Sequence, residues 1–193
     1  EVFYLDDLIK EFDINEVQKA GAIFDVTKLD FLNSQHLSNL SHDDFIKHLK
    51  PFLDNLEINI NEHPKKDLLI ESMRSSANTL KGVANNLTCY FKEIENYDQK
   101  AIDKFIGSSD KVLVDIKEKI IDMNTWDESS LDNILQEYRE EKELSIPKVN
   151  QPIRIALTGS TNSPSLGTTL YLFDKEKVIE RLDALIAFVH KDN

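Results

Sequence analysis

Five histidines, His36, His42, His48, His63 and His190, are the first side chains to test for chemistry, and their spacing excludes most of it. None has a cysteine or a second histidine at zinc-ligand spacing, and no HExxH occurs. His42 and His48 lie six apart, so they cannot share a helix face as i, i+4 ligands would. They read as solvent-facing or helix-end residues. Thr158-Gly159-Ser160 is not a GxSxG nucleophile elbow, and neither a GxxxxGK(S/T) nor a GxGxxG phosphate loop is present. Carboxylates are plentiful, but paired acids on helices ordinarily form a solvated face. The residues therefore give no catalytic, cofactor-binding or metal-binding site. What remains is binding chemistry. The run Gln151-Pro152-Ile153-Arg154-Ile155-Ala156-Leu157-Thr158-Gly159 places a lone arginine on an apolar segment. Arginine carries a planar, permanently charged fork suited to bidentate or stacked contact with an exposed base or a phosphate. The loop Thr161-Asn162-Ser163-Pro164-Ser165-Leu166 adds small donors and acceptors, with Pro164 and Leu166 as an apolar shelf on which a splayed base could rest. An amphipathic helix with Ile153, Ile155 and Leu157 in the core and Arg154 snorkelling outward explains the same pattern without a ligand. On the residues alone both readings stand.

The bulk composition limits the partners. The chain has 193 residues, enough for one sizeable core or two small ones, and is 40% hydrophobic and 30% charged. Only 5 Gly and 5 Pro occur, which favours helices over a turn-rich β fold. The single cysteine, Cys89, cannot close an internal disulfide or build a Cys-rich zinc cluster, so a reducing cytoplasm is expected. No apolar run approaches the roughly 18 residues of a membrane-spanning helix, so no membrane association is expected. The opening Glu1-Val2-Phe3-Tyr4-Leu5-Asp6-Asp7 lacks a signal-peptide pattern; it also lacks an initiating Met, which suggests a piece of a longer protein or a processed chain. The net charge of -12 opposes a nucleic-acid partner, since phosphate binding runs through Lys and Arg. It is compatible with one only if the 23 basic residues cluster on a face that the acids avoid.

The elements that must position Arg154 and its loop read as helices throughout. Leu5, Leu8, Ile9 and Phe12 fall at helical spacing, in a helix ending near Asp13. Asp25 or Thr27 caps a helix carrying Leu29, Leu32 and Leu37. Ser41-His42-Asp43-Asp44 caps the next, with Phe45, Ile46, Leu49, Phe52 and Leu53, and Pro51 is expected to kink or end it. Pro64 suits the first turn of a helix from Lys65 to about Ser76, followed by one from Thr79 to Phe91. Beyond a boundary at Lys92–Asp98, helices are expected near Gln99–Ile106 and Ser109–Met123. Thr125-Trp126-Asp127-Glu128 reads as a capping box opening a helix through Leu131, Ile134, Leu135 and Tyr138. The last helix runs from Lys175 to about His190, with Asp174 as cap and Phe173 to Val178 as a hydrophobic staple. Strict alternation is nearly absent, so the expected class is all-α.

Several strings, in order, resemble one known family. "QPxRxALTG", "SPxL" and "DKExVxERL", across residues 151–182, are similar to the anticodon-binding end of bacterial glutamyl-tRNA synthetases, class I aminoacyl-tRNA synthetases. "FDIxxVxKAGAIFDVxKLDFLN", from Phe12 to Asn33, resembles the family's stem-contact segment. "LKPFL" at Leu49–Leu53 and "MRSSANTLKG" at Met73–Gly82 fall where the family's first anticodon-binding helices lie. Residues 99–124 are similar only in helical character.

The resemblance implies a helical stem-contact segment over 1–40, then two α-helical anticodon-binding subdomains over 41–98 and 99–193. It implies that Arg154, Ser163, Pro164 and Leu166 face the anticodon, together with Arg74 and the position of Ser76, and that Lys28 and Asn33 contact the tRNA stem. Members that separate glutamate from glutamine tRNA place an arginine two residues after Arg74; here that residue is Ser76. The departure implies relaxed selection, with glutamine tRNA as a second ligand, or Arg74 acting in its stead. The family's two catalytic signature loops and its nucleotide-binding strands are missing from the chain. The implied role is thus tRNA binding within a glutamate–tRNA ligase. ATP and Mg²⁺ would serve that longer enzyme, no cofactor would bind here, and these residues alone would not aminoacylate. A monomer that binds tRNA and no DNA is expected. The competing expectation, from charge, is an acidic helical module that binds a protein and no RNA.

Overall fold

The computed structural model describes residues 2–17, 21, 23–107 and 110–191. Among them all regular structure is helical. The order is α1 (Leu5–Glu11), α2 (Val26–Asn39), α3 (His42–Asn55), α4 (Lys66–Met73), α5 (Leu80–Leu87), α6 (Gln99–Phe105), α7 (Lys111–Ile121), α8 (Glu128–Glu141), α9 (Ile146–Thr158), α10 (Leu166–Leu172) and α11 (Lys175–Lys191). Short 3-10 turns lie at Ile14–Glu16, Ile60–Glu62 and Thr88–Tyr90. Lys19, Ala20 and Ala22 of the stem-contact string, and Ser109 at the expected start of α7, lie outside the described residues.

Side-chain caps set most starts. Asp25, Ser41, Thr79, Asp98, Asp127 and Ser165 each accept the backbone N–H three residues on, satisfying a donor that the first helical turn leaves open. The expected capping box at Thr125 is displaced: Asp127 takes the cap, accepting from Ser130 N. Two prolines do not stop their helices. The helix α3 continues past Pro51 to Asn55, and α9 past Pro152 to Thr158. Pro51 is solvent-exposed, so water can meet the carbonyl it leaves unpaired, while buried Leu53 holds the last turn against the core.

The helices enclose two adjoining cores. One is built from Leu37, Phe45, Leu49, Leu53, Leu69, Ile70, Met73, Val83, Ala84 and Leu87. The other runs from Ala101 to Val189, around α9, with Ile116, Leu131, Ile153, Leu157 and Leu182 fully buried. Leu172, at the end of α10, inserts into the first core, and Tyr90 packs against both. The Lys65 ammonium crosses the same seam to the Tyr171 carbonyl and lies 4.1 Å from the Tyr171 ring centroid. Phe173 and Val178, expected as the staple of α11, are both buried in the second core. By contrast α1 buries nothing, and Leu5, Ile9, Phe12, Ile23 and Phe24 stay exposed.

Candidate nucleic-acid interface

The helix α9 carries Arg154, and the sequence defines both of its ends. Pro147 sits in the first turn, where a missing N–H costs no helical hydrogen bond. Gly159 closes the helix at φ 76°, a left-handed conformation that glycine adopts freely. Its N–H donates to Ile155 O at 2.9 Å, and its carbonyl accepts from Asp98 N at 2.9 Å. Val149, Ile153, Ile155, Ala156 and Leu157 are buried, which orients the helix and turns Arg154 toward the following loop.

Arg154 is half-buried and does not simply reach for water. Its Nη2 donates to the Pro164 carbonyl at 2.8 Å. Its backbone carbonyl accepts from Thr158 Oγ1 at 2.9 Å, and the Ser160 carbonyl, 3.1 Å away, competes for the same hydrogen. Ser163 Oγ also donates to Pro164 O, at 3.1 Å, and accepts from Thr169 Oγ1 at 3.0 Å. Ser165 accepts Thr168 N at 3.1 Å to start α10. The loop is therefore held in one shape by its own hydroxyls and by the arginine. Among the described residues Arg154 Nε and Gln151 Oε1 are buried without a hydrogen-bond partner. Burial lowers the proton affinity of Arg154, with Tyr90 opposing; burial raises that of the Tyr90 hydroxyl.

The other expected site residues are arranged less simply. Leu166 is 3% exposed, in the first turn of α10 and inside the second core, so it cannot serve as a shelf for a base. Pro164 remains half-exposed and Ser163 partly so. Arg74, expected to face the anticodon, is engaged within the fold. Its Nη2 donates to the Leu40 carbonyl and, at 3.5 Å, to Leu37 O. Its Nη1 lies 3.3 Å from Glu71 Oε1, and the guanidinium covers the Phe45 ring at 5.0 Å. Both terminal nitrogens of the fork are thus engaged within the chain. Ser76 is half-buried with an unpartnered Oγ, and its carbonyl accepts from Asn86 Nδ2 at 3.0 Å. Asn33 is tied through its amide to the Asn78 carbonyl, while Lys28 is exposed in the first turn of α2.

One residue essential to this geometry is not marked out by sequence reasoning. Arg181, 4% exposed on α11, donates to Leu157 O, to Cys89 O at 2.6 Å and to Lys92 O at 3.1 Å, and lies 4.6 Å from the Phe173 ring centroid. It joins the end of α9 to the 3-10 turn at Thr88–Tyr90. It stands in the string "DKExVxERL", but nothing local to that string indicates its three carbonyl partners. Among the described residues no group of three or more His, Cys, Asp or Glu is arranged to hold a metal. No helix there is long and apolar enough to cross a membrane.

Known proteins share this architecture. Residues 44–186 match the family described as "Anticodon binding domain". Glutamate–tRNA ligase 1 of Campylobacter hominis is 33% identical over 186 residues, covering 96% of this chain and 39% of that protein. Glutamate–tRNA ligase 2 of Halorhodospira halophila is 31% identical over 193 residues, covering all of this chain and 41% of its own length. The crystal structure of a glutamate tRNA ligase from Elizabethkingia meningosepticum, in complex with its amino acid, superposes with a TM-score of 0.75 at 26% identity, over 95% of this chain and 36% of that one. The chain thus spans about two-fifths of the length of the curated relatives it matches.

Proposed function

The chain belongs to the anticodon binding domain family, and from that premise we propose that it is the tRNA-reading, C-terminal region of a glutamate–tRNA ligase. The partner is glutamate tRNA. The observation that carries the reading is the preformed loop of residues 160–165, locked by Arg154 and lined with hydroxyls, beside half-exposed Pro164. Arg154, Ser163 and Pro164 face the anticodon, and Lys28 and Asn33 the stem. The parts are a stem-contact segment over 1–40 and two anticodon-binding subdomains over 41–98 and 99–193.

The work done is positioning. Anticodon contacts hold the tRNA so that its far end reaches a catalytic body elsewhere in the longer enzyme, where ATP, Mg²⁺ and glutamate bind. Binding energy realised remotely then supports orientation at the reacting atoms. These residues alone bind tRNA as a cytoplasmic monomer and do not aminoacylate.

Ser76 carries the selectivity. A serine hydroxyl cannot present the charged fork of an arginine, and Arg74 is engaged in its own clamp. Glutamine tRNA therefore binds within about tenfold of glutamate tRNA, a difference under roughly 1.4 kcal/mol. Titrating the chain with both tRNAs over a range of salt tests this. Steep weakening with salt and near-equal affinities are expected. Glutamine tRNA binding more than about tenfold worse removes the relaxed selectivity, and salt-insensitive association with a protein in place of tRNA removes the whole reading.

A further inference from the structure

Tyr90 lies in the 3-10 turn at Thr88–Tyr90, far in sequence from the Arg154 loop, yet it packs against both cores. Its ring stacks on Phe173, with centroids 4.7 Å apart and planes 12° from parallel. Arg181 donates to the carbonyl of the preceding residue, Cys89, and itself lies 4.6 Å from the Phe173 ring centroid. The tyrosine is therefore fixed through both its backbone and its ring. Phenylalanine would fill that stack without the cost of taking a hydroxyl out of water. The hydroxyl is nevertheless buried. Burial raises its proton affinity, so at neutral pH it keeps its hydrogen, and the side chain that hydrogen-bonds it is Thr169.

Thr169 is fully buried on α10, where valine would fill the same space. Its hydroxyl carries one hydrogen and has two acceptors in reach, Ser165 O at 2.9 Å and Ser163 Oγ at 3.0 Å. Whichever takes that hydrogen, the Thr169 oxygen keeps a lone pair for the Tyr90 hydrogen. Ser163 Oγ donates to the Pro164 carbonyl at 3.1 Å, the atom that also receives Arg154 Nη2 at 2.8 Å. With the Thr169 hydrogen on Ser163, the series Tyr90, Thr169, Ser163 runs in one direction. Each later hydroxyl receives one hydrogen and passes one on, and the series ends at the carbonyl that holds the arginine. Tyr90 and Arg154 also lie close enough that each shifts the other's proton affinity. Two buried hydroxyls thus stand where apolar side chains would pack, and both lead to the Arg154 loop.

We propose that Tyr90 is a positioning residue for anticodon selection: through Thr169 and Ser163 its buried hydroxyl fixes the Pro164 carbonyl, and with it the direction of the Arg154 fork. The proposal rests on the tRNA-binding reading. The test uses Tyr90→Phe, which keeps the ring stack and removes one oxygen. Thr169→Val cuts the series at its middle, and Thr169→Ser keeps it. Each variant and the unmodified chain are titrated with glutamate tRNA and with a tRNA altered only at the anticodon. The Arg154 Nε–Hε resonance of the tRNA-free chain is recorded beside them. Tyr90→Phe and Thr169→Val are expected to shrink the preference for the native anticodon about three- to tenfold, the affinity equivalent of one hydrogen bond, and to shift the Arg154 resonance. Thr169→Ser should retain both. In an Arg154→Ala background, Tyr90→Phe should change the preference no further, because the two act through one contact. If the unmodified chain prefers the native anticodon and Tyr90→Phe keeps that preference, the positioning role is overturned and anticodon reading stands. Equal losses on both tRNAs, with the Arg154 resonance unmoved, overturn it in the same way by reducing the hydroxyl to packing. No preference in the unmodified chain overturns both.

Discussion

The Arg154 guanidinium donates to the Pro164 carbonyl at 2.8 Å, so helix α9 and the loop that follows it hold each other in place. The arginine is thereby a brace for the half-exposed proline. Arg154→Ala should cost about 1–3 kcal/mol of binding to cognate tRNA and relax selection at the base it reads. Arg154→Lys should recover charge but not selection, since an ammonium lacks the planar fork. Equal losses on every tRNA for both variants would reduce Arg154 to a backbone contact.

Arg181 carries structure, whereas Arg154 is the residue proposed for recognition. It is buried and supplies donors to three carbonyls from two segments. Arg181→Met keeps much of the packing but leaves those carbonyls unpaired, so unfolding in urea should show a loss of about 2–4 kcal/mol. A loss below about 0.5 kcal/mol, the range of ordinary surface substitutions, would contradict this structural role for Arg181.

Gly159→Ala places an L side chain at φ 76° and crowds Ile94 and the Asn96 carbonyl. The left-handed conformation alone costs about 1–2 kcal/mol. The thermal midpoint should fall accordingly, and tRNA binding should weaken because the end of α9, from which the Arg154 loop departs, must shift. An unchanged midpoint would show that the α9 terminus adapts freely.

Glu71 sets part of the acid limb of stability. Its hydrogen bond to His42, 2.6 Å long, and then Arg74 hold its proton affinity below the ordinary carboxylate value. A carboxylate depressed in the folded state contributes stability that is complete above its unfolded value near about 4.3 and is lost as pH falls through the lower folded value. The group is half-exposed and screened by solvent, so the contribution is below about 1 kcal/mol. Urea unfolding from pH 7 to 3 should show Glu71→Gln less stable at neutral pH and converging on the parent toward pH 3. Parallel curves would mean the pair contributes nothing.

The Arg154 loop is legible in the sequence because arginine and proline lie ten residues apart and the caps that shape the loop are local. Asp98 and Ser41 likewise declare their helices, each lying three residues before the N–H it accepts. Arg74 and Arg181 are not legible in their real roles. Their carbonyl partners lie 34 to 37 and 24 to 92 residues away, contacts that no local pattern encodes. Leu166 departs from expectation for a related reason. In a short helix that begins at the loop, only packing decides which side faces water, and here Leu166 turns into the second core. Pro51 fails as a stop signal because burial of Leu53 outweighs one lost hydrogen bond at an exposed position.

Whether these helices read an anticodon is tested most directly by a fluorescence-anisotropy titration of the chain at low salt. Glutamate tRNA would be measured beside a matched tRNA altered only at its anticodon. Tighter binding of the native tRNA is predicted, with the difference lost in Arg154→Ala. Equal affinity for the two tRNAs, or no binding of either, would contradict anticodon reading by this chain.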